Sequence, residues 1–74
     1  MPRLPVIRPR ELVGALEKAG FYQVRQKGSH LQLKRGNLLV TVPMHGGDLN
    51  QGTLRSIIRQ AHLTVDEFLD LLQG

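Results

Sequence analysis

Two glycine-led dipeptides, Gly28-Ser29 and Gly36-Asn37, constrain this chain more than any other feature, because each interrupts a stretch of alternating apolar and polar residues. Alternation sends successive side chains to opposite faces of a strand, and a two-residue turn opening on glycine sets the register of the strands it joins. Three short strands are therefore predicted, over residues 21–27, 30–35 and 38–42. The first turn pairs Lys27 with His30, Arg25 with Gln32 and Gln23 with Lys34. The second pairs Leu33 with Val40, Leu31 with Val42 and Gln32 with Thr41. Both registers place His30, Gln32 and Lys34 on a polar face, and this agreement is stronger evidence than either turn alone.

Helices flank the predicted sheet. Pro9 suits a first helical position, Glu11 favours the positive end, and Leu12, Val13 and Leu16 form an apolar stripe. A helix over residues 9–19 is expected, stopped by a left-handed Gly20 that folds Phe21 back onto Leu16 and so into the core. After the loop following Pro43, Asn50 caps a helix over residues 51–61. Leu54, Ile57, Ile58 and Ala61 form its buried stripe, while Arg55 and Arg59 face water. Thr64 and Glu67 have the spacing of a capping box for a last short helix, docked by Val65, Phe68, Leu69 and Leu72, with Leu63 stapling to Phe68. The expected fold is α+β: a helix, a three-stranded antiparallel sheet, a helix and a short C-terminal helix, with the helices on one sheet face.

With 74 residues, the chain is read as one domain, 1–74, in which residues 1–8 form an extended segment. At this size about 60% of the unfolded surface is buried, which leaves little room for a deep substrate pocket. The sequence has no cysteine, so neither disulfides nor thiolate chemistry enters, and a reducing cytoplasm fits. No apolar run approaches the ~18 residues needed to span a bilayer, so a soluble, unexported protein with no membrane partner is expected. Ten Lys and Arg stand against six Asp and Glu, and Asp66, Glu67 and Asp70 gather near the end, so the rest of the chain is more basic than the net +4 suggests. A phosphate-bearing or acidic partner fits that charge.

The residues best suited to chemistry are Lys27-Gly28-Ser29-His30. Cleaving RNA without a metal takes a base for the 2′-hydroxyl proton, an acid for the leaving 5′-oxygen, and donors to hold the phosphate. Histidine is the side chain best suited to proton transfer near neutrality. Lys27, the Ser29 hydroxyl and the turn amides around Gly28 can hold a phosphate, and Arg25, Lys34, Arg55 and Arg59 extend the candidate contacts. The plainer alternative is a hairpin turn followed by an exposed strand histidine. His45, in a glycine-rich loop, is either an auxiliary proton-transfer group or a cap on nearby backbone. His62 is read as a favourable charge at a helix C-terminus. No His-x-x-x-His pair or ligand cluster is present, so neither a metal nor another cofactor is expected.

Taken together, Gly20-Phe21, Arg25-Gln26-Lys27-Gly28-Ser29-His30, Val42-Pro43-Met44-His45 and Gly52-Thr53-Leu54-Arg55-Ser56-Ile57-Ile58-Arg59-Gln60-Ala61 resemble the HicA (YcfA-like) mRNA interferase family, the toxins of HicA–HicB toxin–antitoxin pairs. The resemblance implies a double-stranded-RNA-binding-domain-like fold, cleavage of mRNA, a catalytic role for His30, and a HicB-type antitoxin that masks the active site. The family usually has proline where Gln51 stands and often glycine where His62 stands, departures that bear on helix ends. The alternative from another class is a non-catalytic RNA-binding module of the same fold. A further one is an adaptor whose basic face serves an acidic protein.

Overall fold

The computed structural model describes residues 3–74, and its elements follow the expected order. They are α1 (Pro9–Lys18), β1 (Tyr22–Lys27), β2 (His30–Arg35), β3 (Leu38–Pro43), α2 (Gln51–Gln60) and α3 (Val65–Gln73). The sheet is antiparallel with β2 in the middle. This is the α-β-β-β-α order expected of a double-stranded-RNA-binding-like domain, extended by α3.

In each hairpin turn the glycine has a positive φ, +58° at both Gly28 and Gly36. A glycine-first two-residue turn requires this. The β2–β3 register is as expected, with Leu31 opposite Val42 and Leu33 opposite Val40. Those four side chains are buried and form the sheet's contribution to a core shared with Leu12, Leu16, Leu54, Ile57, Ile58 and Phe68. Each such side chain contributes about 1.5–3 kcal/mol on burial. Both α1 and α2 pack against β3, and α3 packs against α1, so the face carrying His30 is left without helices.

The β1–β2 register departs from expectation at one end. Lys27 pairs with His30 and Arg25 with Gln32, but Tyr22, not Gln23, lies opposite Lys34, and Gln23 lies opposite Leu33. A bulge between Gln23 and Arg25 supplies the extra residue, Val24, whose side chain is 45% exposed. The physical reason lies in Phe21. Strict alternation from Lys27 backwards would turn Phe21 to the wet face, whereas one inserted residue reverses the parity and lets its ring enter the core. Phe21 is indeed buried, as the helix-stop argument anticipated, so β1 begins at Tyr22.

The stop itself has the expected form. Gly20 has φ +100°, Phe21 N–H donates to the Leu16 carbonyl at 3.0 Å and Gly20 N–H to that of Glu17 at 3.0 Å. The α2 terminus repeats this pattern with a different residue. Leu63 N–H reaches the Ile58 carbonyl at 3.1 Å, and His62 itself occupies the left-handed position with φ +59°. His62 is thus a strained cap residue rather than simply a charge at the helix end.

The Asn50 side chain caps α2, accepting from Gly52 N–H at 2.8 Å and Thr53 N–H at 3.3 Å. Thr64 and Glu67 form the expected capping box, at 2.8 and 3.0 Å. On α3 it is Leu71, rather than Leu69, that joins Val65, Phe68 and Leu72 against the core. Leu71 lies one turn beyond Phe68, on the side that faces α1, and Lys18 Nζ donates to the Leu71 carbonyl at 3.1 Å.

Residues 3–8 have no regular secondary structure, yet they are tied down. Leu4 and Ile7 are buried, the Ile7 carbonyl accepts from Leu49 N–H at 2.8 Å, and Gln51 Nε2 donates to the Pro5 carbonyl at 3.2 Å. Of the segment expected to be extended, residues 1 and 2 lie outside the described residues.

Candidate active site

His30 opens the central strand. Its cross-strand neighbours are Lys27 on one side and Pro43 on the other. Directly opposed residues in antiparallel strands have Cβ atoms about 4.5–5.5 Å apart, so the imidazole and the ammonium can act on one small group between them. The turn joining them needs glycine for its backbone angle and not for space, since a Cβ on Gly28 would meet nothing within 4 Å. Gln26 Nε2 donates to the Gly28 carbonyl at 3.3 Å, so this carbonyl is satisfied within the hairpin.

A shallow depression of about 600 Å³ forms here, lined by Arg25, Lys27, Gly28, Ser29, His30 and Gln32. Five of the candidate residues therefore converge, and no carboxylate is among the lining residues. Gln32 was placed on the polar face by alternation without being counted as a site residue; the register puts it beside Arg25. The other basic candidates are not gathered in. Lys34 lies further along the same sheet face, opposite Tyr22 and Leu39, both exposed. Arg55 and Arg59 are exposed on α2, which packs on the opposite side of the sheet.

His45 is closer to His30 than its sequence position suggests. Met44 N–H donates to the Ser29 carbonyl, which fastens the start of the β3–α2 loop to the β1–β2 turn. One residue on, His45 Nδ1 lies 2.9 Å from the Gly46 carbonyl. A carbonyl oxygen only accepts, so Nδ1 carries the proton in this contact and Nε2 is left for another partner. Both readings of His45 thus retain support: it caps backbone and still offers one nitrogen.

A second depression, of about 410 Å³, is lined by Arg8, Pro9, Arg10, Glu11, Met44, His45, Gly46 and Gly47. Arg8 and Arg10 were not anticipated, because only tertiary packing brings the start of α1 against the loop after β3. Among the described residues, no group of three or more His, Asp or Glu side chains is placed to hold a metal ion. No helix there is long and apolar enough to cross a membrane.

The fold and the site define a class: small basic α+β domains that offer an open cationic sheet face with a histidine at the start of its central strand, rather than an enclosed cavity. A family model described as the HicA toxin of bacterial toxin–antitoxin systems matches residues 9–63, from the first residue of α1 to just past α2. The chain belongs to the HicA toxin family, known as mRNA interferases, and membership implies an antitoxin partner. A comparison with curated proteins returns no match to this chain.

Proposed function

We propose that this toxin is a metal-independent endoribonuclease that cleaves mRNA in the cytoplasm and uses His30 for proton transfer. The observation that carries the reading is the convergence of Arg25, Lys27, Gly28, Ser29 and His30 on one depression. A 2′-hydroxyl presented to His30 loses its proton to the imidazole as the oxygen attacks the adjacent phosphorus in line. The P–O5′ bond breaks, and the products are a 2′,3′-cyclic phosphate and a 5′-hydroxyl. Lys27, Arg25 and the turn amides oppose the charge that builds on the phosphoryl oxygens. The leaving oxygen takes a proton from the imidazolium of His30, from His45 in its imidazolium form or from water. A HicB-type antitoxin silences the enzyme by covering this depression.

Wild-type protein and a His30→Ala variant, each with end-labelled RNA and excess EDTA, test the reading. The expected result is cleavage by wild type, with cyclic-phosphate ends, and a loss of about 10²- to 10⁴-fold in the variant, the usual contribution of one positioned acid or base. Equal cleavage by both proteins would move the proton transfer to another residue. RNA bound but left intact by both folded proteins would make this a non-catalytic RNA-binding module.

A further inference from the structure

We propose that the depression lined by Arg8, Arg10 and His45 is a second phosphate subsite, which holds the RNA phosphodiester next to the one cleaved at His30. The inference rests on the RNA-cleaving reading and extends it to the path of the strand.

Three observations support it. The two depressions adjoin, since the Ser29 carbonyl and the Met44 N–H that share a hydrogen bond belong to the walls of one and the other. A strand with one phosphate over Lys27 and His30 therefore meets the second depression as its neighbouring ground. The second depression also carries cations suited to an anion: Arg8 and Arg10 are both exposed and line it beside His45. Arginine presents a planar fork of donors that matches phosphate oxygens. Finally, the one carboxylate in the lining, Glu11, is occupied locally, as its Oε1 accepts from Arg8 N–H at 3.0 Å.

The walls are held firmly enough to form a site. Leu49 N–H bonds to the Ile7 carbonyl and Gln51 Nε2 to that of Pro5, so the segment leading into α1 is fixed to the far end of the loop that carries His45. Two groups at the end of α1 offer no free N–H to a ligand: Pro9 has none, and that of Arg8 is taken by Glu11. The side chains of Arg8 and Arg10 supply the donors.

An Arg8→Ser/Arg10→Gln double variant tests the subsite, with Arg10→Lys as the charge-conserving control and thermal melting as the check on folding. The Arg8 side chain makes no cap bond to α1, so serine is tolerated there. Two substrates are compared: a dinucleoside monophosphate, whose only phosphate is the scissile one, and a trinucleotide with a second. The double variant should cleave the first like wild type. On the second its KM should rise roughly tenfold, as expected for a lost charge-assisted contact, with kcat little changed.

Affinity for longer RNA, measured in a His30→Ala background, gives a readout that does not need cleavage. Loss of one phosphate contact should reduce the slope of log K against log salt by about 0.7, and Arg10→Lys should retain most of it. Unchanged affinity and slope, or an equal loss on both short substrates, would overturn the subsite. A wild type that cleaves neither substrate would overturn the nuclease reading, while the affinity measurement would still decide whether RNA lies on Arg8 and Arg10.

Discussion

The guanidinium carbon of Arg35 lies 4.9 Å from the centre of the Phe21 ring, while its Nη1 donates to the Ala19 carbonyl at 2.7 Å. One side chain at the end of β2 thus covers the buried ring and satisfies a carbonyl at the C-terminus of α1. Although Arg35 adds to the positive charge of the chain, its Nη1 is engaged by α1 and it does not line the His30 depression, so it acts as a structural cation. Arg35→Lys keeps the charge but loses the planar stack and the fork geometry. It should lower unfolding stability by about 1 kcal/mol, read from a urea midpoint, and leave RNA cleavage unchanged.

Deleting Val24 tests the bulge. Without the extra residue, β1 must either turn Phe21 to the wet face or slip its pairing with β2. The loss of a buried phenylalanine costs about 3–5 kcal/mol, much of the stability available to a domain of this size. The deletion should therefore abolish cooperative unfolding by circular dichroism. Val24→Thr, which keeps the residue count on an exposed position, should melt within a few degrees of wild type.

Lys27 and Lys34 share a sheet face, but only Lys27 lines the His30 depression. Lys27→Ala should depress kcat more than Lys34→Ala, whose effect should fall mainly on KM and on salt dependence. A reversed order would place the scissile phosphate further along the sheet than His30.

His62 holds a left-handed backbone conformation that costs a non-glycine residue about 1–2 kcal/mol, part of which glycine returns through the greater entropy of its unfolded chain. His62→Gly should raise stability by about 0.5–1 kcal/mol, with the denaturant slope unchanged. His62→Val, branched at Cβ, should lower it. A drop on introducing glycine would mean that the imidazole makes a favourable contribution at the helix end exceeding the backbone strain.

The capping box makes the stability of α3 depend on pH. The Thr64 backbone N–H, and after it the Thr64 hydroxyl, holds the Glu67 carboxyl below the ordinary glutamate range; attraction to Arg35 acts in the same direction. A carboxyl whose value is lower in the folded than in the unfolded state stabilises fully at pH above the unfolded value, and that contribution is lost as pH falls through the folded one. The stability difference between wild type and Glu67→Gln should be constant around neutrality. It should shrink only in acid, below the ordinary glutamate value. A difference that already changes between pH 7 and 6 would trace to another group.

Local signals in the sequence determined the first five elements of this fold to within a residue at each end, and the start of α3 through its Thr64 cap. Turn glycines, alternation, the Asn50 cap, the Gly20 stop and the Thr64–Glu67 box act over spacings of two to five residues, so the chain records them in order. The same short range made Lys27, Gly28, Ser29 and His30 legible as one group, because a two-residue turn leaves no other register. Tertiary structure alone decided the bulge at Val24, since only the demand to bury Phe21 reveals that strict alternation fails there. It also separated Lys34, Arg55 and Arg59 from the His30 depression, and it brought Arg8, Arg10 and His45 together from segments more than thirty residues apart. Periodicity assigns a side chain to a face of its own element. Where that face comes to rest is set by packing between elements distant in sequence, which no local pattern encodes.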